Sequence, residues 1–418
     1  MTTLQPVRGT HDLLPLEYRK HSCIMDAARK IAALYGFAEM ATPLMEFKDV
    51  FKRTLGDVSD IVTKEMYEIV KRGDEEIVLR PEGTAGVARA VMSNGLTQSM
   101  PLKFFYAGPM FRYERPQKGR LRQLHQIGVE LFGVPDPLGD VEVISLAYDT
   151  FKALELSHRV TLEINTLGDD ESRKRYRDHL VTYLRDHHAA LSADSQLRLE
   201  RNPLRILDTK DEGDKKILKD APLLTESLNS FSQEMFMKVQ EGLETLQIPF
   251  KLNPHLVRGL DYYCHVAFEF TTSELGSQGT LLAGGRYDGL MATMGGPSIP
   301  GVGWAGGIDR IALMFNQDTL PPLIRPLAII PTDEAFDIKG LAFAQILRNE
   351  GHVVEMTYGG NLGKRLKKAN KINARYALIL GDAEIASHTV TLKDLDTGEQ
   401  TQLSQHQTAK ALKEKGIS

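Results

Sequence analysis

Two alternating runs, Phe111-Arg112-Tyr113-Glu114 and Leu124 to Leu131, flank a cationic, turn-like centre that holds Arg115, Lys118, Gly119, Arg120 and Arg122. A period of two is the side-chain period of a strand, so the segment reads as an antiparallel hairpin. At that period Ile127, Val129 and Leu131 point one way, while Leu124, Gln126, Gly128 and Glu130 point the other. One face belongs to a core and the other is polar. On the first strand Arg112 and Glu114 share a face about 7 Å apart, a cation for an anionic group beside a carboxylate for a donor. That pairing suits a phosphorylated ligand with an exocyclic amine. The missing side chain at Gly128 leaves a trough between Gln126 and Glu130 in which a small flat ligand fits, and Glu130 there favours a cationic or donor-bearing group.

The chain has 418 residues, which predicts two or three domains, and its 42% apolar and 25% charged content is that of a globular enzyme with a sizeable core. A net charge of −4 excludes a global basic field, so any polyanion contact must come from a local patch. Cys23 and Cys264 stand far apart without metal-ligand spacing, which argues against a disulfide framework or structural zinc and suits a reducing compartment. With no apolar signal core near the N-terminus and no run of 18 apolar residues, the expected location is the cytoplasm, away from membranes.

Ile24, Ala27, Ala28, Ile31 and Leu34 recur at helical spacing and Gly36 follows, which predicts a helix over 17–35. Pro43 cannot donate to a ladder, which puts it at an edge, at a seam between subunits or at the end of a strand. Ile77 to Arg80 reads as a strand that delivers Glu82 and Thr84 to a loop ahead of a helical stretch through Ala90. Residues 169–245, dense in charge around helical apolar stripes, read as a helical insertion. Strand-like, Gly-rich sequence returns over 256–307, and a helix is expected from Asp309 to Phe315. Pro321, Pro322 and Pro326 mark a linker. Beyond it strands at 327–331, 352–357, 375–380 and 388–393 alternate with helices at 335–349, 361–372 and 405–415, the pattern of a separate small α/β domain.

Gly301-Val302-Gly303-Trp304-Ala305-Gly306 matches the letter of a dinucleotide fingerprint, but the following helix runs into the Pro-rich linker instead of a second parallel strand. The glycines are instead expected to let a nucleotide lie against the backbone, with Arg310 on an adenine face or a terminal phosphate. Arg112, Arg120, Arg258 and Arg310 occur without a Walker-type loop, which implies a different ATP geometry. Leu256 to Tyr263 clusters a cation, a glycine, a carboxylate and two phenols. With Glu130, Tyr263 has the chemistry to hold both nitrogens of a heteroaromatic ring. No Ser-His-Asp or Cys-His arrangement is legible, no nucleophile is assigned, and no set of side chains is assigned to a metal. Lys364, Arg365, Lys367, Lys368, Lys371 and Arg375 form a run of six cations without an acid, which points to phosphate contact.

These strings together resemble the bacterial-type histidyl-tRNA synthetases, which are class II aminoacyl-tRNA synthetases, over essentially the whole chain. Residues 17–47 are similar to class II motif 1, Phe111 to Glu130 to motif 2 and Gly301 to Met314 to motif 3. Leu79-Arg80-Pro81-Glu82-Gly83-Thr84 and Leu256 to Tyr263 resemble the family's histidine-binding signatures. The resemblance implies an α+β catalytic domain with a seven-stranded antiparallel sheet, over 1–168 and 246–320. It also implies the insertion over 169–245, a C-terminal α/β anticodon-binding domain over 326–418, and a homodimer.

By the same resemblance, the chain activates L-histidine with ATP, accompanied by Mg²⁺, and transfers it to the 3′ end of its tRNA. Arg112 holds the α-phosphate and the substrate carboxylate, Glu114 the adenine amine, and Arg120 and Arg310 the outer phosphate. Glu82, Thr84 and Gln126, beside Gly83, hold the amino end, and Glu130 and Tyr263, beside Tyr262, read the imidazole. Arg258 neutralises charge developing on the α-phosphate. Arg115 and Gln117 match loop positions that meet the tRNA acceptor end, and Lys364, Arg365, Lys367 and Lys368 are the expected contacts in the last domain. Leu124 stands where the family commonly has an aromatic that stacks on adenine, so apolar packing substitutes, and Cys264 replaces a commonly polar residue. The insertion is expected to clamp tRNA. A histidine-sensing regulatory paralogue is the alternative, but such relatives tend to lack the C-terminal domain and the Arg258 string. A synthetase for threonine or proline is disfavoured by Glu130 with Tyr263.

Overall fold

Ile24, Ala28 and Ala32 lie on one side of a helical period and are wholly buried, and the segment that carries them folds as α1 (Pro15–Leu34). The computed structural model describes residues 4–55, 61–69, 75–117, 119–201, 203–209, 211–257, 262–276, 279–315 and 320–416. Arg258 and Lys118 therefore lie outside the described residues. The chain divides into two compact units, Met1–Leu320 and Pro321–Ser418.

In the first unit β1 (Ala38–Glu39) follows α1. A small sheet comes next, made of β2 (Met45–Phe47), then, after α2 (Lys48–Leu55), β3 (Tyr67–Glu68) and the central β4 (Ile77–Leu79). Pro43 sits outside the strands, exposed between β1 and β2. Helix α3 (Thr84–Ser93) leads to the hairpin β5 (Leu102–Phe111) and β6 (Gln123–Phe132), then α4 (Leu138–Ala153) and β7 (Thr161–Thr166). Helices α5 (Asp170–Asp186), α6 (Ala193–Arg201), α7 (Glu212–Leu218) and α8 (Ser230–Thr245) intervene before β8 (Phe250–Leu252) and β9 (Cys264–Thr271). Then come β10 (Thr280–Arg286), α9 (Leu290–Thr293), β11 (Gly301–Gly307) and α10 (Ile308–Ala312).

The main sheet has eight strands in the order β1-β5-β6-β11-β10-β9-β7-β8, one more than expected. Its six central strands are antiparallel, whereas the outermost pairs, β1 with β5 and β7 with β8, are parallel. The reason is connectivity. Parallel neighbours need a long crossover, and β8 reaches β7 only after four helices. Ile127, Val129 and Leu131 pack against α1 and α4 as their alternation requires, and Val239 and Leu243 of α8 join that core. On the opposite face Tyr106, Tyr263 and Tyr287 share a core with Tyr176, Leu180, Leu184 and Leu218, so α5 and α7 back this face of the sheet.

In the second unit β12 (Leu327–Pro331), α11 (Asp337–Asn349), β13 (Val354–Met356), α12 (Leu362–Lys371) and β14 (Tyr376–Leu380) follow the expected alternation. They continue into α13 (Asp382–Ala386), β15 (Thr389–Asp394), β16 (Gln400–Ser404) and α14 (Gln405–Glu414). The sheet order is β13-β12-β14-β15-β16, parallel over its first three strands and antiparallel over the rest. Strand β16 was not expected because Gln400-Thr401-Gln402 carries no apolar alternation; it is an edge strand with polar, exposed side chains.

Candidate active site

Strand β5 ends at Phe111, paired with Gln123, so Arg112 and Glu114 begin the loop of the hairpin instead of sharing a strand face. The loop nevertheless brings the two together, Arg112 Nη1 standing 3.9 Å from Glu114 Oε1. Arg112 Nε donates to the carbonyl of Pro81 at 2.8 Å, which fixes the guanidinium beside the Glu82 string. Arg120 forms an ion pair with Glu114 from the return limb of the loop. Arg310, in the first turn of α10, donates to the carbonyls of Gly119 and Thr280 at 2.9 and 3.0 Å. Burial, with Arg120 and Arg112 nearby, lowers its pKa from the usual arginine range. Arg112, Arg120 and Arg310 therefore gather around Glu114 in one cleft that Glu82 and Asp309 also line, a local group of three guanidiniums suited to an anion.

The inner wall is carboxylic and phenolic. Glu82 accepts from the backbone N–H of Thr84 and Ala85 at 2.6 and 2.9 Å at the start of α3, and burial raises its pKa. Gln126 reaches the cleft from β6, and its buried Oε1 has no hydrogen-bond partner among the described residues. Thr84, Tyr262, Tyr263 and Leu124 complete the lining, with the Tyr262 and Tyr263 rings 4.6 Å apart. Ala305 and Gly307 of β11 line it too, as a nucleotide lying on backbone requires, whereas Gly303 makes room for the Glu130 carboxylate.

Glu130 lies behind this wall, wholly buried. Thr84 Oγ1 and Tyr106 Oη donate to its Oε1 at 2.7 and 3.1 Å, and Tyr287 Oη donates to its Oε2. The expected trough at Gly128 is filled: Tyr106 lies directly opposite on β5, and its ring occupies the space a Cβ would take. Tyr106 and Tyr287 are therefore partners of Glu130 that the linear sequence did not disclose, since the fold of the sheet is what joins them to it.

Burial raises the Glu130 pKa to about 8 against its ordinary 4.5, more than its three hydroxyl donors lower it. The folded chain then binds this proton more tightly than the unfolded chain, so stability falls as pH rises from 4.5 towards 8. Glu130→Gln, which cannot ionise, is expected to flatten part of that fall in urea titrations of the ligand-free protein. An identical pH slope in both proteins would contradict the assignment.

The family model for histidyl-tRNA synthetase matches residues 9–311. The chain belongs to the histidyl-tRNA synthetase family. A histidine–tRNA ligase of Rhodospirillum rubrum is 56% identical over 400 residues, 96% of each chain, and one of Gluconobacter oxydans is 51% identical, over 96% of this chain and 97% of that one. The crystal structure of apo Staphylococcus aureus histidyl-tRNA synthetase superposes with a TM-score of 0.82 at 31% identity, covering 98% of this chain and 100% of that one. An anticodon-binding-domain model matches 327–415, the second unit.

Within this histidyl-tRNA synthetase fold, Arg115 and Gln117 are exposed on the hairpin loop. In the anticodon-binding domain the six-cation run divides. Lys364, Lys367, Lys368 and Lys371 are exposed, but Arg365 is wholly buried, paired with Asp337 at 2.6 Å and donating to the carbonyls of Gly360 and Thr357. The expectation that Arg365 meets tRNA is corrected accordingly: it ties α12 to α11. Arg375 is likewise committed, to Asp394 and Asp396.

Proposed function

We propose that this chain is a histidine–tRNA ligase acting in the cytoplasm, which joins L-histidine to ATP as histidyl-adenylate and then to the 3′ end of its tRNA. The observation that carries the reading is the single cleft in which Arg112, Arg120 and Arg310 stand beside Glu82 and the unpartnered amide oxygen of Gln126. ATP would enter with Mg²⁺, which would offset part of the phosphate charge. Its phosphates draw Arg120 away from Glu114, and Glu114 then accepts from the adenine amine while Leu124 packs on the ring. The substrate ammonium answers two needs at once, as a donor for Gln126 Oε1 and a counter-charge for Glu82. Its imidazole lies against Tyr263 and Tyr262, with Glu130 and its hydroxyl donors behind.

The chemistry needs no protein nucleophile. The histidine carboxylate attacks the α-phosphorus, its oxygen–phosphorus bond forms, and pyrophosphate leaves with the electrons of the bond that breaks. A terminal ribose hydroxyl of tRNA then attacks the adenylate carbonyl and AMP departs. Arg258→Ala is expected to lower kcat of ATP–pyrophosphate exchange by roughly 10²–10³-fold with little change in KM, because its charge matters most as negative charge develops. An unchanged exchange rate would remove Arg258 from this role. Charging of tRNA with labelled histidine tests the whole reaction, and failure to charge any tRNA would leave the ligase reading without support.

Two further features complete the proposal. Leu44, Met45 and Phe47 are exposed large apolar residues beside Pro43, as a homodimer seam requires, and sedimentation at one chain mass would contradict it. The segment over 169–245 is proposed to meet tRNA, but its helices α5 and α7 share the core of Tyr106, Tyr263 and Tyr287. Removing it whole is therefore expected to impair adenylate formation as well as charging. The regulatory-paralogue reading is not favoured, because the second unit and the Leu256–Tyr263 string are both present.

A further inference from the structure

His21 of α1, His125 of β6 and Asp309 of α10 come from three separate elements and meet at Asp309, which also lines the cleft. Asp309 Oδ1 stands 3.6 Å from His21 Nε2 and 3.5 Å from His125 Nδ1. The side chains of His21 and Asp309 are only 5% and 10% exposed and that of His125 is 22% exposed, so the junction is largely buried. Among the described residues Asp309 Oδ1 meets His125 Nδ1 and His21 Nε2 only at these long ion-pair distances, and neither Asp309 Oδ1 nor His125 Nδ1 makes a short hydrogen bond. Buried polar atoms are rarely left so loosely paired, and a common partner between them would satisfy both. The other carboxylate oxygen, Oδ2, accepts from the backbone N–H of His125 at 2.6 Å, which aims Oδ1 at the two rings.

The separations indicate what that partner is. A direct N–H···O bond spans about 2.7–3.2 Å, shorter than either distance here. Ligand atoms held about 2.0–2.1 Å from one tetrahedral ion stand roughly 3.4 Å apart. The ligand atoms of all three residues lie within 4.8 Å of one another. We propose that His21, His125 and Asp309 bind one transition-metal ion of the zinc class, with its remaining position open towards the cleft that Asp309 lines. Two imidazoles and one carboxylate do not suit Mg²⁺, which prefers an all-oxygen shell, so this ion is distinct from the one ATP carries. Bound there, it joins α1, β6 and α10. It thereby fixes Leu124 and Gln126, on either side of His125, and Arg310, next to Asp309, relative to the hydrophobic body. The inference rests on this geometry and stands or falls separately from the ligase reading.

The test is titration of the full chain, stripped with a chelator, with Co²⁺ and then Zn²⁺, followed by absorption and calorimetry. One Co²⁺ per chain is expected, with visible bands of a nitrogen- and oxygen-ligated tetrahedral ion and displacement by one Zn²⁺. His21→Ala is expected to weaken binding by more than about 100-fold, the upper range for losing even an indirect support of a metal ligand. Its thermal unfolding in chelator is compared with that of the wild type, so that lost binding is not mistaken for lost fold, and His125→Gln serves if His21→Ala does not fold. Absence of stoichiometric Co²⁺ binding in the wild type would overturn the proposal. So would binding that survives both substitutions, or a near-ultraviolet thiolate band, which would place the ion at Cys264, His265 and Asp288 instead.

Discussion

Arg112→Ala is expected to reduce kcat/KM for histidine-dependent ATP–pyrophosphate exchange by roughly 10²–10³-fold, the cost of removing one preorganised charged donor from a reaction that builds up negative charge. The guanidinium is already in place without a ligand. Its Nε is held by the Pro81 carbonyl, while Nη1 stands 3.9 Å from Glu114, beyond hydrogen-bond range, so its terminal nitrogens remain available to an anion in the cleft. Arg112→Lys is expected to recover little, because an ammonium cannot keep the Pro81 contact and present a planar fork to carboxylate and phosphate at once. The fold should be indifferent to either change, since Arg112 is only partly buried. Exchange rates with circular dichroism and thermal unfolding check both statements. Full activity in a folded variant would remove Arg112 from the chemistry.

The second large effect concerns stability. Arg286 at the end of β10 is 0% exposed and Asp140 at the start of α4 is 1% exposed, and they form an ion pair. Arg286 Nε reaches both Asp140 oxygens at 3.1 Å, and its other nitrogens donate to the carbonyls of Val134 and Asp136 at 2.9 and 3.3 Å. Asp140→Ala leaves the buried guanidinium with only the half-buried Asp288 carboxylate, 3.2 Å from Nη1, as counter-charge, and a loss of about 3 kcal/mol, the lower end for breaking a buried pair, is expected in urea unfolding. Replacing both residues with apolar ones of similar volume is expected to recover much of that loss, since the desolvation of both charges then disappears. A single variant within about 1 kcal/mol of the wild type would show that the pair is not what holds α4 to the sheet.

Particular residues show what a linear reading could reach. Ile127, Val129 and Leu131 alternate over a long run, and strand β6 follows that alternation with the core on the expected side. Arg112 and Glu114 also alternate, but over too few residues to distinguish a strand from a loop, and the ladder stops before them. Tyr106 and Tyr287 become partners of Glu130 only through the folding of the sheet, which no local period encodes. Arg365 was legible in principle: it lies four residues before Ala369, and these two are the buried positions of α12, while the exposed lysines occupy the other faces. Read as one cationic run, the segment hid that inner stripe. The His21–His125–Asp309 junction draws on three elements far apart in sequence, without the close ligand spacing by which metal sites announce themselves.

ATP–pyrophosphate exchange across the twenty amino acids shows whether the cleft activates histidine with ATP and reads its side chain. A site that hydrogen-bonds a polar side chain rejects analogues by about 10⁴–10⁵ without proofreading. Exchange is therefore expected with histidine and at background with the other nineteen. Exchange driven by another amino acid such as threonine or proline, or none with any amino acid in a folded preparation, would contradict activation of histidine.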